Sequence, residues 1–263
     1  QAALSELGPD SQWRPTAQLL EGICYLLAGE PDRADPILAN AAEVATEARA
    51  LPAAAIGLAE RSVVAMQQQD WNQAATLAEQ ASGVVQAGEL DGYVASALVH
   101  AVAARTDLHR GEVPRAQEQL ARVTRLRPLL TYALPYFAVQ TLLQLTRAYL
   151  AMGDAAGART VLRQARDVLQ VRPDLGILSS QADQLRATLD IVRGRTGGVS
   201  SLTKAELRLV PLLSTHLSFR EISEQLSVSP HTVKTQAISV YRKLGVASRS
   251  KAVQRAQKLG LGG

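Results

Sequence analysis

Ser218-Phe219-Arg220-Glu221-Ile222-Ser223-Glu224-Gln225-Leu226, followed by Ser227-Val228-Ser229 and then Pro230-His231-Thr232-Val233-Lys234-Thr235-Gln236-Ala237-Ile238, decides the fold of the C-terminal part. Ser218 with Glu221 three positions on is a capping box, in which each side chain serves the other's backbone N–H. It opens a short helix with Ile222 and Leu226 facing inward. Ser227-Val228-Ser229 reads as a three-residue turn. Ser229 then caps a longer helix, and Pro230 takes the first helical position, where its missing N–H costs nothing. Along that helix, Val233, Ala237, Val240 and Leu244 share the inward side, while His231, Lys234, Thr235, Ile238 and Arg242 share the outward side. Gly245 stops it in a left-handed conformation. A short helix, a tight turn and a longer capped helix make a helix-turn-helix.

Working outward, Thr203 and Glu206 form a second capping box that starts an earlier helix with Leu209, Leu212 and Leu213 as its apolar stripe. Pro211 inside it removes a backbone donor and is expected to kink or loosen the helix. Ser248 starts a further helix that continues to Leu259. Upstream, Gly194–Ser201 is rich in Gly and Ser and reads as a flexible linker. Charge divides at about the same place. Residues 1–198 carry 18 Arg, no Lys and 21 acids, a net −3, whereas residues 199–263 carry 10 basic residues and 3 acids, a net +7. All five lysines, at 204, 234, 243, 251 and 258, lie in the C-terminal part. Such asymmetry implies two modules, of which the basic one either meets a polyanion or presents a solvated surface.

Leu202-Thr203-Lys204-Ala205-Glu206, Ser218-Phe219-Arg220-Glu221-Ile222-Ser223, Thr232-Val233-Lys234 and Arg242-Lys243-Leu244-Gly245-Val246 together resemble the LuxR-type DNA-binding domain, over residues 202–261. The resemblance implies a four-helix domain that binds double-stranded DNA as a dimer through its last helix, in a transcription regulator. It implies that Lys234 and Thr235 face bases or nearby phosphates, and that Thr232, Arg242 and Lys243 hold the backbone. Ser229 and His231, at the start of the same helix, join the expected DNA-binding set. The implied core is Ile222, Leu226, Val228 and Val233, and Glu221 is an intradomain cap, since an acid repels DNA. Gln236 stands where the family usually has His, and its amide can still read adenine. Ile238 replaces an often polar position and is expected on a thymine methyl or a sugar. Thr215-His216 replaces the usual glycine turn.

The N-terminal part repeats itself. Gly29-Glu30-Pro31-Asp32, Gln69-Asp70-Trp71-Asn72, Gly111-Glu112-Val113-Pro114 and Gly153-Asp154-Ala155-Ala156 start 40, 42 and 42 residues apart. Each is a turn followed by an Ala-rich helical stretch (Ala39–Ala48, Gln73–Val85, Arg115–Leu126, Ala156–Leu169) and preceded by another apolar-periodic one. Helix, turn, helix at this period is a helical solenoid. Ala28, Ala78, Ala116 and Ala158 are expected where paired helices cross closely. The pattern resembles tetratricopeptide repeats across residues 14–176, with a longer period and a degenerate Trp-Leu-Gly-Tyr signature. Ser179–Arg193 reads as a capping helix. A curved stack leaves a concave face that binds a peptide or protein. The best place for a site is Pro128–Leu145, with Tyr132, Tyr136 and Phe137, and Tyr149 beyond. The competing reading is that these rings fill inter-repeat core.

Composition narrows the rest. Aromatics are 4% and the chain holds one Cys. That excludes a disulfide framework or a Cys-based zinc site. Cys24 is expected to be a small buried apolar residue. There is no G-x-x-x-x-G-K-[ST] loop and no H-E-x-x-H, and His100 and His109 lack partners at metal spacing, so they read as ordinary polar helix residues. No catalytic residue, metal site or cofactor is expected, and the chain does not read as an enzyme. No apolar run reaches the length of a membrane span.

The expected fold is all-α: a tetratricopeptide-like repeat domain at 1–195 that senses a signal or partner, a linker at 196–201, and a LuxR-type helix-turn-helix domain at 202–263. The expected function is a sequence-specific, cytoplasmic DNA-binding transcriptional regulator, a homodimer on DNA, with an effector or protein on the concave face and RNA polymerase as a further partner. The alternative is a protein-interaction scaffold with weak or vestigial DNA binding. The combination resembles the C-terminal part of the large ATP-binding LuxR regulators, which implies a piece of a longer protein; a small stand-alone regulator is the other reading.

Overall fold

The computed structural model describes Leu7, Ser11 and residues 13–196, 202–215 and 217–258, and among them it holds thirteen α-helices and no strand. The chain divides into two compact units, Gln1–Arg186 and Ala187–Gly263, with the division falling inside a helix. No helix among the described residues is long and apolar enough to cross a membrane.

The first unit is built from helix pairs. They are α1 (Arg14–Ala28) with α2 (Pro31–Glu47), α3 (Leu51–Gln67) with α4 (Trp71–Ala87), α5 (Ser96–His109) with α6 (Val113–Leu126), and α7 (Pro135–Ala151) with α8 (Ala155–Val171). Helix α9 (Ile177–Thr196) follows. The expected capping helix is thus longer than Ser179–Arg193, and residues 197–201 of the expected linker lie outside the described residues.

Each pair is joined by the same device. Gly29, Gln69, Gly111 and Gly153 all take a positive φ, of 80°, 64°, 78° and 75°. The next residue's N–H reaches back five residues: Glu30 to Tyr25, Asp70 to Ala65, Glu112 to Asp107 and Asp154 to Tyr149, each at 2.9 Å. This is the Schellman arrangement, which satisfies carbonyls left over at a helix end. Asp70 and Asp154 then cap the next helix, accepting from the N–H of Gln73 at 3.0 Å and of Gly157 at 2.8 Å. Glu30 and Glu112 make no such cap and instead pair with Arg33 and Arg115.

The turns set the packing register. Four residues after each cap comes Ala34, Ala74, Ala116 or Ala158, every one fully buried, so the outer helix of each pair can lie close on the inner one. Ala78 is buried too, but Ala28 is exposed. The small residue of the first pair is Ala34, because the crossing lies after the turn rather than before it.

The inner and outer helices differ. α2, α4, α6 and α8 are amphipathic, with one buried stripe each. α3, α5 and α7 are buried on most sides. They stack on one another, α3 against α5 and α5 against α7. Gln140 on α7 donates to Glu60 on α3 at 2.8 Å, across the centre. The solenoid turns tightly enough that α7 reaches back to α3.

The same tightness brings the start of α9 against the end of α1. A Cβ on Gly29 would meet Ile177 Cγ2 at 3.1 Å, and one on Gly176 would collide with the Leu27 carbonyl oxygen. A glycine is required at 176 because two backbones touch there.

Several sequence expectations need correcting. Cys24 is exposed, not buried, because it lies on the side of α1 away from Leu19, Ile23 and Leu26. His100 is a buried residue, with Nδ1 2.9 Å from Gln119 Oε1. His109 stacks on Trp71 with ring centroids 3.9 Å apart. Of the ring cluster, Tyr136 is buried and edge-on to Phe137, while Tyr132 is exposed in the loop before α7.

Candidate nucleic-acid interface

The second unit contains α10 (Lys204–Leu213), α11 (Phe219–Leu226), α12 (Pro230–Lys243) and α13 (Arg249–Lys258). Both capping boxes are present. Thr203 N–H donates to Glu206 Oε2 at 2.6 Å and Glu206 N–H returns to Thr203 Oγ1 at 3.2 Å. Ser218 N–H donates to Glu221 Oε2 at 2.7 Å and Glu221 N–H to Ser218 Oγ at 3.3 Å. The Ser218 hydroxyl, which donates to Glu221 Oε2 at 2.7 Å, and then the Ser218 N–H draw the Glu221 carboxyl below the usual carboxylate range. Helix α10 runs through Pro211. The expected end of the last helix at Leu259 lies outside the described residues, as does His216.

The turn between α11 and α12 is closed by Ser227 at φ 53° and by a bond from Val228 N–H to the Ser223 carbonyl at 3.0 Å. Val228 itself is exposed, contrary to its expected core role, because that left-handed step turns the chain outward. Ser229 caps α12, accepting from Thr232 N–H at 3.1 Å, and its hydroxyl also meets Thr232 Oγ1 at 2.8 Å.

Helix α12 has two faces. Val233, Ala237 and Val240 are fully buried, with Leu244 just beyond, in a core that includes Leu202, Leu209, Val210, Leu213, Ile222, Ala252 and Ala256. On the other side His231, Lys234, Thr235 and Ile238 are exposed, Ile238 to 56%. Ser229 is exposed at the cap, and Thr232 and Gln236 are half-buried at the edge of this face. The backbone of Arg242 belongs to α12, and its side chain lies outside the described residues. No acid occurs between Ser229 and Leu244. The exposed face therefore carries a positive charge, hydroxyls and a helix N-terminus, all compatible with an anion.

Lys243 has a different place from the one expected. Its ammonium lies 2.6 Å from Glu206 Oε2, on a carboxylate that is itself buried. Burial alone would raise the Glu206 carboxyl. The Lys243 ammonium and the hydrogen bonds from Thr203 and Ser239 outweigh it and bring the group down to about 2. Lys243 thus ties the end of α12 to the start of α10.

Arg249 has a structural role that the sequence reading missed. Its guanidinium donates to the carbonyls of Leu213 at 2.9 Å, Leu217 at 2.8 Å, Thr215 at 2.9 Å and Leu212 at 3.3 Å. It also lies over the Phe219 ring, 5.8 Å from its centroid. One side chain closes the whole connection from α10 to α11. The signal was present in the sequence: a cation at the first position of a helix opposes the helix dipole and needs another reason to be there.

Among the described residues, no group of three or more His, Cys, Asp or Glu is arranged to hold a metal ion.

Comparison with known proteins agrees with this geometry. Residues 200–256 match the family described as bacterial regulatory proteins, luxR family. Over 63 residues the chain is 46% identical to the Mycobacterium bovis protein named "Putative HTH-type transcriptional regulator Mb0914c" and 44% identical to the similarly named Rv0890c of Mycobacterium tuberculosis. Each alignment covers 24% of this chain and 7% of the relative. Residues 200–256 are a luxR-family helix-turn-helix domain.

Proposed function

We propose that this chain is a sequence-specific DNA-binding regulator of transcription, in which residues 202–263 bind double-stranded DNA through α12 and residues 1–195 sense a signal or partner. The observation that carries the reading is the division of α12 into a fully buried side and an exposed, acid-free side. In a helix-turn-helix the second helix enters the major groove, with its N-terminal residues at the base edges. Ser229, His231 and Thr232 then stand beside phosphate at the helix N-terminus. Lys234 and Thr235 reach bases, Gln236 offers an amide to adenine, and Ile238 offers its apolar surface to a thymine methyl. Arg242 follows on the same helix toward the backbone. Lys243 supports the helix through Glu206.

A homodimer on DNA, with RNA polymerase as a further partner, follows from the same reading, and the place of action is the cytoplasm, where the chromosome lies. The relatives' names support regulation of transcription for them. The test is a titration of the chain with promoter-derived duplexes at two salt concentrations, beside Lys234→Ala. Binding is expected to be sequence-selective and to fall steeply with salt. The variant is expected to bind about 1–3 kcal/mol more weakly if Lys234 reads guanine, or with a salt slope lower by about 1 if it meets phosphate. Equal binding of all duplexes by both proteins at every salt concentration would refute the reading.

A further inference from the structure

The repeat unit is divided by charge. Residues 14–87, which span α1–α4, carry 4 Arg and 9 acids, a net −5. Residues 96–171, which span α5–α8, carry 10 Arg and 5 acids, a net +5. Each half also carries one apolar feature that its own chain leaves open.

In the acidic half this feature is a groove of about 640 Å³ between α2 and α4, lined by Ala42, Leu51, Leu58, Gly83 and Val84. Gly83 is exposed inside α4, and a Cβ there would meet nothing within 4 Å. A glycine inside a helix costs stability, and here no packing within the chain calls for one. It leaves the groove open to close approach from outside. The walls are acidic, since α2 and α4 together carry five acids and one Arg. Asp35 is paired with Arg61, and Glu79 with Arg110. Glu43, on the groove, and Glu47, one turn on, are exposed and form no ion pair among the described residues. Even with Arg49 in the turn beyond, residues 42–49 stay net negative.

In the basic half the feature is a knob, the connection between α6 and α7. Leu129, Tyr132 and Leu134 are 53%, 66% and 44% exposed within six residues. The connection is nevertheless fixed. Leu130 is buried beneath it, and Gln164 on α8 donates to the carbonyls of Arg127 at 3.3 Å and Leu130 at 3.2 Å. Apolar side chains held out on a fixed loop lose little freedom on binding, and such patches mark interaction surfaces. The surroundings are basic: between Glu118 and Asp154 the chain has four arginines and no acid. Arg122 pairs with Asp91, while Arg127 and Arg147 are held by Gln164 and Gln181. Arg125, in the last turn of α6, is exposed and forms no ion pair among the described residues.

Knob and groove open at the same edge of the unit, where one pair hands over to the next. Ala42 and Val84 lie near the ends of α2 and α4, Leu51 begins α3, and the knob joins the end of α6 to the start of α7. We propose that two copies of this chain pair through their repeat units, the Leu129–Leu134 knob of each seated in the α2–α4 groove of the other. Glu43 and Glu47 of one copy then face Arg125 of the second. The exchange is reciprocal, so it closes as a two-fold dimer instead of growing into a filament. The acidic half of each copy lies along the basic half of the other, and opposite charges set that antiparallel order. This contact is additional to the dimer on DNA and does not rest on DNA binding.

The experiment is sedimentation equilibrium of the whole chain without DNA, over a range of concentrations and at two salt concentrations. The parent is compared with Gly83→Leu, Arg125→Glu and Glu43→Arg. The parent is expected to dimerise, less tightly at high salt. Each variant is expected to dimerise about ten-fold or more weakly. Gly83→Leu fills the groove, and it should melt no lower than the parent because its Cβ enters open space and leucine favours helix. An equimolar mixture of Arg125→Glu and Glu43→Arg is expected to regain dimer, since each of the two contacts then pairs opposite charges. A misfolded variant would not do so. A parent that stays monomeric overturns the proposal. So does a dimer that none of the variants weakens, which would place the contact in the other unit, or a mixture no better than its components. None of these failures touches the DNA reading, which is measured on duplexes and on Lys234.

Discussion

Lys243 Nζ lies 2.6 Å from Glu206 Oε2, a contact between residues 37 apart that fastens the end of α12 to the first turn of α10. The two residues would otherwise serve separate purposes, one as a surface cation and the other as part of a capping box. Their contact makes the cap and the helix carrying the candidate DNA face depend on each other. Lys243→Ala should therefore lower the melting temperature of the DNA-binding unit while leaving the salt slope of DNA binding unchanged. Lys234→Ala should do the reverse. A loss of about one from the salt slope in Lys243→Ala would return that lysine to the phosphate backbone.

The same pair sets an acid limit. The Glu206 carboxyl is at about 2 in the folded chain, below the 4.5 of an ordinary glutamate. A depressed folded-state value stabilises above the ordinary value, and the contribution is lost as pH falls from about 4.5 through about 2. Discounted for solvent screening, it is about 1–2 kcal/mol. Glu206→Gln should lose that amount at pH 7 and match the parent near pH 2, as read from denaturant midpoints at the two pH values.

Glu60 has the opposite sign. Burial at the centre of the inner helices raises its carboxyl to about 7, against the amide donor of Gln140 and the neighbouring Tyr136. The folded chain then holds a proton that the unfolded chain releases, so stability falls as pH rises from about 4.5 to about 7. Glu60→Gln should stabilise the repeat unit by about 1–3 kcal/mol at pH 8 and by little at pH 4.5. Parallel unfolding curves for parent and variant across that range would count against a protonated Glu60.

Gln69 occupies, with φ 64°, the turn position that is glycine in the other three pairs. Its side chain recovers a little through a 3.3 Å bond to the Met66 carbonyl. Gln69→Gly should raise stability by about 0.5–1 kcal/mol, measured as a shift of the denaturation midpoint with unchanged slope.

Arg249→Met keeps the apolar stem but removes four carbonyl contacts. A loss of about 2–4 kcal/mol is expected in the DNA-binding unit. Hydrogen exchange should quicken first at residues 212–219, and uniform protection there would refute the clamp.

The legible part of the sequence was the part governed by local rules. Both capping boxes, the Ser229 cap and the buried side of α12 follow from spacings of three and four, and α10, α11 and α12 form where those spacings place them. The repeat turns were readable for the same reason. What was not legible depends on contacts between distant residues. Nothing beside Lys243 announces Glu206, and nothing near Cys24 says which side of α1 lies outward. The reach of α7 back to α3 follows from how tightly successive pairs turn, a property no single repeat contains. The Arg105–Gln144 bond has the same origin, since the two residues lie 39 positions apart and meet only because α5 stacks on α7.

The contact between Leu27 and Gly176 sets this solenoid apart from an open array. An open array gains or loses a unit at little cost, because each one touches only its neighbours. Here α1 seats the start of α9, with the intervening pairs between them, so a pair inserted or removed between α1 and α9 would part that contact. Substitutions within these pairs are therefore expected to be tolerated better than a change in the number of pairs between α1 and α9.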